Sequence, residues 1–126
     1  MLATPKYRNK KTIVKGIEFD SKSESYIYLK LLELSKTYGF RFTLQPRYCL
    51  VDKFYLDGKC FRQTDYIGDF DVFIGDEVYT LDSKGFETDV FRLKKKLFAK
   101  RYKREIICIK SVSKLADWLK TVRKKE

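Results

Sequence analysis

Histidine is absent from all 126 residues. Its absence excludes imidazole metal sites, Ser-His-Asp and Cys-His hydrolases, and nucleases that use histidine as the base. Cysteine is scarce. Cys49, Cys60 and Cys108 lie far apart and follow no Cys-x-x-Cys spacing, which argues against a zinc site or a disulfide framework. Each sits in an apolar, strand-like run and is expected to act as a small buried hydrophobe. An odd number of thiols suits a reducing compartment, so a cytoplasmic location is expected. No apolar run approaches the roughly 18 residues a membrane span needs, and no signal-peptide pattern opens the chain. No Walker or dinucleotide-binding glycine motif is present, so no nucleotide cofactor is expected.

What is present is apolar mass and positive charge. Hydrophobic residues make up 44% and aromatic residues 16%, enough for the core of one globular domain. Twenty-eight Lys and Arg against 17 Asp and Glu leave a net charge of +11. A compact domain carrying that charge repels itself, and a polyanionic partner relieves the repulsion. Nucleic acid fits best. A membrane surface fits less well, because no cationic amphipathic helix stands apart from the core. The bland alternative is that the excess serves solubility alone.

The basic residues are unevenly spread. Residues 1–15 hold Lys6, Arg8, Lys10, Lys11 and Lys15 with no acid, and read as a flexible basic arm, either solvated or touching phosphate. A single domain is expected over 16–123, followed by a basic tail at 124–126. Ser21-Lys22-Ser23-Glu24 matches a capping box and opens a helix that ends at Gly39. Ile27, Leu31 and Leu34 form its apolar stripe. Glu24 heads that stripe, where an inward acid is costly unless something satisfies it, so two roles are open to it: a capping glutamate bonding backbone N–H, or a third carboxylate reaching a metal. Residues 41–51 read as a strand broken at Pro46. Residues 54–61 read as a hairpin turning at Asp57-Gly58. Thr88 is expected to cap a helix over 89–102, with Val90, Leu93, Leu97 and Phe98 on its apolar side. Arg92, Lys94, Lys95, Lys96, Lys100, Arg101, Lys103 and Arg104 supply eight basic residues in thirteen positions. These form either a solvated face or a phosphate-tracking surface. Residues 105–110 read as a buried strand, and Ser113 as the cap of a last helix through Val122.

The densest information lies between residues 66 and 85. Two strand-like runs, Tyr66–Ile74 and Val78–Gly85, flank a turn at Gly75-Asp76-Glu77. Side-chain alternation puts Asp82 and Lys84 on one face, and cross-strand pairing can bring Asp69 beside Asp82. Alternating charges on a strand are usually a solvated face with ion pairs. The sharper reading is two carboxylates and an ammonium converging to hold a hard divalent cation beside a proton-transfer group.

The ordered set Glu24, Asp69 and Asp82-Ser83-Lys84 resembles the helix acid, isolated aspartate and (D/E)-x-K of the PD-(D/E)XK nuclease superfamily. Similarity is closest to a phage-borne group of small proteins of that type. It rests on a Lys-Tyr-Arg-Asn-Lys start, Leu44-Gln45-Pro46, Asp69-Phe70 and the D-x-K-G turn with its Thr-initiated basic helix. It covers most of residues 6–105. One position departs from the pattern: Leu81 precedes Asp82 where similar proteins carry an acid.

The resemblance implies an α/β (α+β) restriction-endonuclease-like core of αβββαβα order, with a mixed sheet of about four to five strands. It implies a metal-dependent endonuclease that hydrolyses DNA phosphodiesters. Asp69, Asp82 and Glu24, with the carbonyl oxygen of Ser83, would hold Mg²⁺ or Mn²⁺. Lys84 would orient or deprotonate the attacking water or stabilise the charge that develops, and Gly85 would let the backbone turn close to the substrate. Phosphate contacts are expected from Lys94, Lys95, Arg92, Lys10 and Lys11. Branched DNA of the Holliday-junction kind is the favoured substrate, resolved by a homodimer. Nicking, restriction-like or transposition-associated cleavage, or binding without catalysis, are the alternatives.

Overall fold

The computed structural model describes residues 11–84 and 86–123. Lys6, Arg8, Lys10, Gly85 and the basic tail lie outside the described residues. Thr12–Val14 (β1) and Ile17–Phe19 (β2) form a small antiparallel hairpin, so the stretch read as a basic arm is already a strand from Thr12. Lys22–Tyr38 (α1) follows, with Ser21 Oγ accepting a hydrogen bond from the Glu24 N–H at 3.1 Å. Gly39, left-handed at φ 75°, closes the helix.

Arg41–Leu44 (β3) and Arg47–Val51 (β4) are the two halves of the expected broken strand. The break is larger than a bulge. Between them Gln45 takes a positive φ of 49° and the chain leaves one sheet for another. Phe54–Leu56 (β5) and Lys59–Phe61 (β6) form the expected hairpin. Asp57 and Gly58 both have positive φ, 50° and 75°, the backbone that two-residue hairpin turns favour.

Thr64–Ile67 (β7) pairs with β4, and Phe70–Ile74 (β8) pairs with β3 and with Glu77–Asp82 (β9). The run Tyr66–Ile74 is therefore not one strand. It bends at Gly68-Asp69 and changes partners. Gly68 is needed at the bend: a Cβ there would lie 3.0 Å from Thr80 Cγ2 and 3.2 Å from the Tyr66 hydroxyl. Asp89–Tyr102 (α2), capped by the Thr88 hydroxyl, leads through Ile107–Cys108 (β10) to Val112–Arg123 (α3). The last helix begins earlier than expected, because Ser111 rather than Ser113 accepts from the Lys114 N–H at 3.2 Å.

The central sheet is mixed, in the order β10-β9-β8-β3, with β10 parallel to β9 and the other pairs antiparallel. Leaving aside the hairpins and the β4–β7 ribbon, the core order is α1-β3-β8-β9-α2-β10-α3. This is the expected αβββαβα order of an α/β (α+β) domain. Alternation divides the strands between two clusters. Phe70, Val72, Ile74 and Leu81 pack against Ile27, Leu31 and Leu34 of α1 and Leu115, Leu119 and Val122 of α3. Tyr66, Leu50 and Ile106 pack with Phe91 and Phe98 of α2 on the other side. The strand expected over 105–110 is only the two residues of β10, and the isoleucines flanking it divide accordingly, Ile106 to one cluster and Ile109 to the other.

The buried face of α2 differs from the periodic reading. Val90 and Leu93 are exposed, and Phe91 takes the place expected of them beside Phe98. Phe91 and Phe98 pack there with Leu50 and Tyr66, and Lys94 and Lys95 are half-buried. Cys60 is exposed and Cys49 and Cys108 are half-buried, so the uniform burial expected of the thiols does not hold. Among the described residues no helix is long and apolar enough to cross a membrane.

Candidate functional site

The register of the β8–β9 hairpin positions the first two acids. Phe70 pairs with Leu81, so the next positions outward, Asp69 and Asp82, face each other. The Asp69 N–H reinforces this by donating to the Leu81 carbonyl at 3.1 Å. Asp69 is held by its neighbour across the hairpin: its Oδ2 accepts from the Ser83 N–H at 2.7 Å and from the Ser83 hydroxyl at 2.8 Å. Asp82 is 4% exposed, and its Oδ2 accepts from the Tyr66 hydroxyl at 2.7 Å.

The third acid arrives from a distant part of the chain. Glu24, in the first turn of α1, is 4% exposed and lies close enough to Asp69 for the two carboxyls to interact. Only half of a capping box forms. The Ser21 hydroxyl caps the Glu24 N–H, while the Glu24 carboxyl turns toward the aspartates. The Glu24 carboxyl therefore does not complete the expected cap.

Crowding these groups has an electrostatic cost. Burial, then the charge of Asp69, then that of Asp20, lifts the Glu24 carboxyl from 4.5 to about 8. A helix N-terminus ordinarily favours a carboxylate, and here that preference is overridden. Burial and the charge of Asp69 also raise Asp82, against the opposing effects of the Tyr66 hydroxyl and of Lys84. The Lys84 Nζ rests 5.0 Å from the centre of the Phe91 ring, and the Lys95 Nζ 5.7 Å from the same ring. The phenyl group thus steadies two ammonium groups beside the acids. Burial and Asp82 push the Tyr66 phenol far up, which keeps it a hydrogen-bond donor.

The donor chemistry suits a hard cation: three carboxylates, with hydroxyl oxygen nearby and no imidazole. Among the described residues, no three Asp, Glu or Cys side chains already surround a point where an ion could sit. Asp69 and Asp82 instead turn oxygens to Ser83 and Tyr66. Ser83, expected to contribute its carbonyl, acts in the structure through its N–H and hydroxyl as the group that orients Asp69. Leu81 is 1% exposed and belongs to the apolar cluster on the opposite face. An acid at that position would enter the dry core and not the carboxylate face.

The basic residues expected at phosphate are mostly engaged. Arg92 pairs with Asp89 at 2.8 Å, Lys95 with Glu87 at 3.2 Å and Lys11 with Glu18 at 3.6 Å. Lys94 is half-buried near Asp65, and Lys10 lies outside the described residues. Such exposed pairs are worth about 0–1 kcal/mol each and yield readily to a polyanion.

Tyr66, Phe91 and a second polar cluster were not foreseen from the sequence. Asp71, buried beside the first cluster on β8, accepts from the Tyr48 hydroxyl and from the Thr80 hydroxyl at 2.6 Å. Arg104 donates to the same two hydroxyls, at 2.9 Å to Tyr48 and 2.8 Å to Thr80. The alternation of β8 and β9 places Asp71 and Thr80 on the face of Asp82, and that is the only sequence signal for them.

Two clefts lie elsewhere. One of about 370 Å³ is lined by Leu34, Tyr38, Leu119 and Arg123, and the other, of about 650 Å³, lies around the β8–β9 turn. Neither is lined by Glu24, Asp69 or Asp82.

Fold and site together define a small mixed α/β protein with a cluster of three acids at the Asp69–Asp82 end of its central hairpin. By sequence, residues 4–116 match the family described as Protein of unknown function (DUF1064), and the chain belongs to that family. No curated protein and no solved structure matches it.

Proposed function

We propose that this protein is a metal-dependent endonuclease that hydrolyses DNA phosphodiester bonds. One observation carries the reading. Three acids from α1, the start of β8 and the end of β9 are gathered, with burial and the charge of Asp69 disfavouring the ionised forms of Glu24 and Asp82, and with Lys84 beside them. A fold under no functional demand would separate or pair them. The core order and the Glu24, Asp69, Asp82-x-Lys84 series support the likeness to PD-(D/E)XK nucleases. The charge of +11 supports a polyanionic substrate.

Asp69 and Asp82, with Glu24, would hold Mg²⁺ or Mn²⁺, which supplies positive charge against the phosphate and the developing transition state. Ser83 fixes the rotamer of Asp69 through two hydrogen bonds, and Tyr66 fixes that of Asp82. Lys84, held over Phe91, brings an ammonium to the position where it orients water or meets the charge growing on phosphate oxygen. Glu24, whose charged form burial and Asp69 disfavour, would regain that charge against the cation, as a ligand or as the acceptor for a water bound to it. Free thiols fit action in the reducing cytoplasm. A branched, junction-like substrate cut by a homodimer is the specific form of the proposal. A domain of this size has little room for a sequence-reading module, and two cuts call for two sites.

The test is cleavage of branched, nicked, linear and single-stranded DNA with Mn²⁺. Asp82→Ala and Lys84→Ala should each lose activity, Asp82→Ala on the order of 10³-fold. Binding that persists in EDTA, with no product from any substrate, would leave a nucleic-acid-binding protein without catalysis.

A further inference from the structure

The β5–β6 hairpin presents apolar side chains that the domain does not cover. Tyr55 is 64% exposed, Leu56 60% and Phe54 47%. Among the described residues the hairpin pairs only with itself, as a separate two-stranded sheet. Such a ribbon is marginal alone and draws its order from cross-strand contacts. Here Phe54 stacks on Phe61, with ring centres 4.8 Å apart and planes 4° from parallel.

Each face of the ribbon couples an aromatic ring to an ammonium. On one face the Lys59 Nζ lies 5.2 Å from the centre of the Phe61 ring. On the other the Lys53 Nζ lies 5.7 Å from that of Tyr55. Arg62 continues the positive charge. Of the nearby acids, Asp52 is engaged by Arg101 at 3.3 Å and Asp57 sits in the turn. The centre of a protein–protein interface is depleted of charge, and lysines seated over its rings would have to be desolvated. Unpaired nucleotides make the opposite demand: a flat ring for each base and a cation for the phosphate next to it.

We infer that the β5–β6 hairpin is a nucleic-acid-binding element that stacks unpaired bases on Tyr55 and the Phe54–Phe61 pair while Lys53 and Lys59 meet the backbone. This rests on the nucleic-acid part of the proposed function and is independent of hydrolysis. It narrows the substrate to DNA or RNA carrying single-stranded character. The ribbon carrying the hairpin is continuous in sequence with β7, whose Tyr66 holds Asp82, so strand capture is linked to the acid cluster by a few residues of chain.

Fluorescence anisotropy in EDTA, with a labelled single strand and its duplex, separates the possibilities. Tyr55→Ser should weaken single-strand binding about tenfold and duplex binding by less than about twofold, while Tyr55→Trp should retain both. Lys53→Ala with Lys59→Ala should lower the slope of log affinity against log salt by about one to two. A strand carrying 5-bromouracil should cross-link within residues 54–61, a readout on the unmodified protein. Unchanged single-strand affinity in Tyr55→Ser together with no cross-link there overturns the inference. So does a shift from dimer to monomer in sedimentation without loss of single-strand binding, which would make the hairpin a surface for a second copy. A wild type that binds and cross-links but never cleaves would sink only the hydrolytic reading. One that cleaves, with the hairpin variants binding normally, would sink only this inference.

Discussion

Two acid-bearing clusters sit side by side on one face of β8 and β9, and they solve burial in opposite ways. Around Asp71, two hydroxyls intervene between the carboxylate and the Arg104 guanidinium, so each polar group has a partner of suitable kind. Around Asp82 and Asp69, hydroxyl donors are present, but Asp69 also faces another acid, Glu24, and the Lys84 charge does not offset the burial of Asp82 and its repulsion with Asp69. Both clusters are hydrogen-bonded, and among the described residues no buried side-chain nitrogen or oxygen lacks a partner. Satisfied hydrogen bonds therefore do not distinguish them. Charge balance does. A buried acid tied to a cation through hydroxyls is a structural device, whereas three acids pressed together store repulsion that a cation would relieve.

The comparison can be broken most forcefully at Arg104. Arg104→Ala removes the cation of the balanced cluster and should cost about 2–3 kcal/mol of stability, measured by urea unfolding. A change below about 0.5 kcal/mol would show that the hydroxyls alone satisfy Asp71.

The crowded cluster should reveal itself through pH, by up to a few kcal/mol. In the folded protein Glu24 lies at about 8 rather than 4.5, so the folded state binds its proton more tightly than the unfolded state. Its contribution to stability is complete below about pH 4.5 and is lost as pH rises through about 8. Without divalent ions, wild type should lose stability relative to Glu24→Gln over that window. Saturating Mg²⁺ should reverse the slope, because cation binding requires ionised acids. Identical pH profiles for the two proteins would mean that Glu24 does not share space with the aspartates.

A smaller effect of opposite sign is expected at Asp82. Asp82→Asn relieves repulsion with Asp69 and keeps an acceptor for Tyr66. It should stabilise the metal-free protein at pH 8 by up to about 1 kcal/mol while abolishing cleavage. Destabilisation would place Asp82 with the structural acids. Smallest of all, Arg92→Ala breaks an exposed pair with Asp89 and should change stability by less than about 0.5 kcal/mol. It serves as the control for charge removed outside both clusters.

The legibility of these features follows their range along the chain. Ser21, Thr88 and the Asp57-Gly58 turn were readable because capping and turn geometry depend on three or four adjacent residues. The Asp69–Asp82 pairing was nearly as accessible, since a short turn fixes the register of an antiparallel hairpin. Harder were the bend at Gly68, which looks like mid-strand until Thr80 and Tyr66 are seen packed against it, and the buried face of α2, where Phe91 displaces Val90 and Leu93. The link from Tyr48 to Arg104 spans 56 positions, and no local pattern announces it.

Composition and short-range order thus settled the helices, the turns, the absence of imidazole chemistry and the positive charge, because each depends on side-chain type or near-neighbour geometry. Only packing decided that Glu24 turns inward, that Tyr66 and Ser83 hold the aspartates, and that Arg104 balances Asp71. Those outcomes depend on which distant surfaces meet in space. Electrostatic energy is set by distance and burial, and neither exists until the chain has folded.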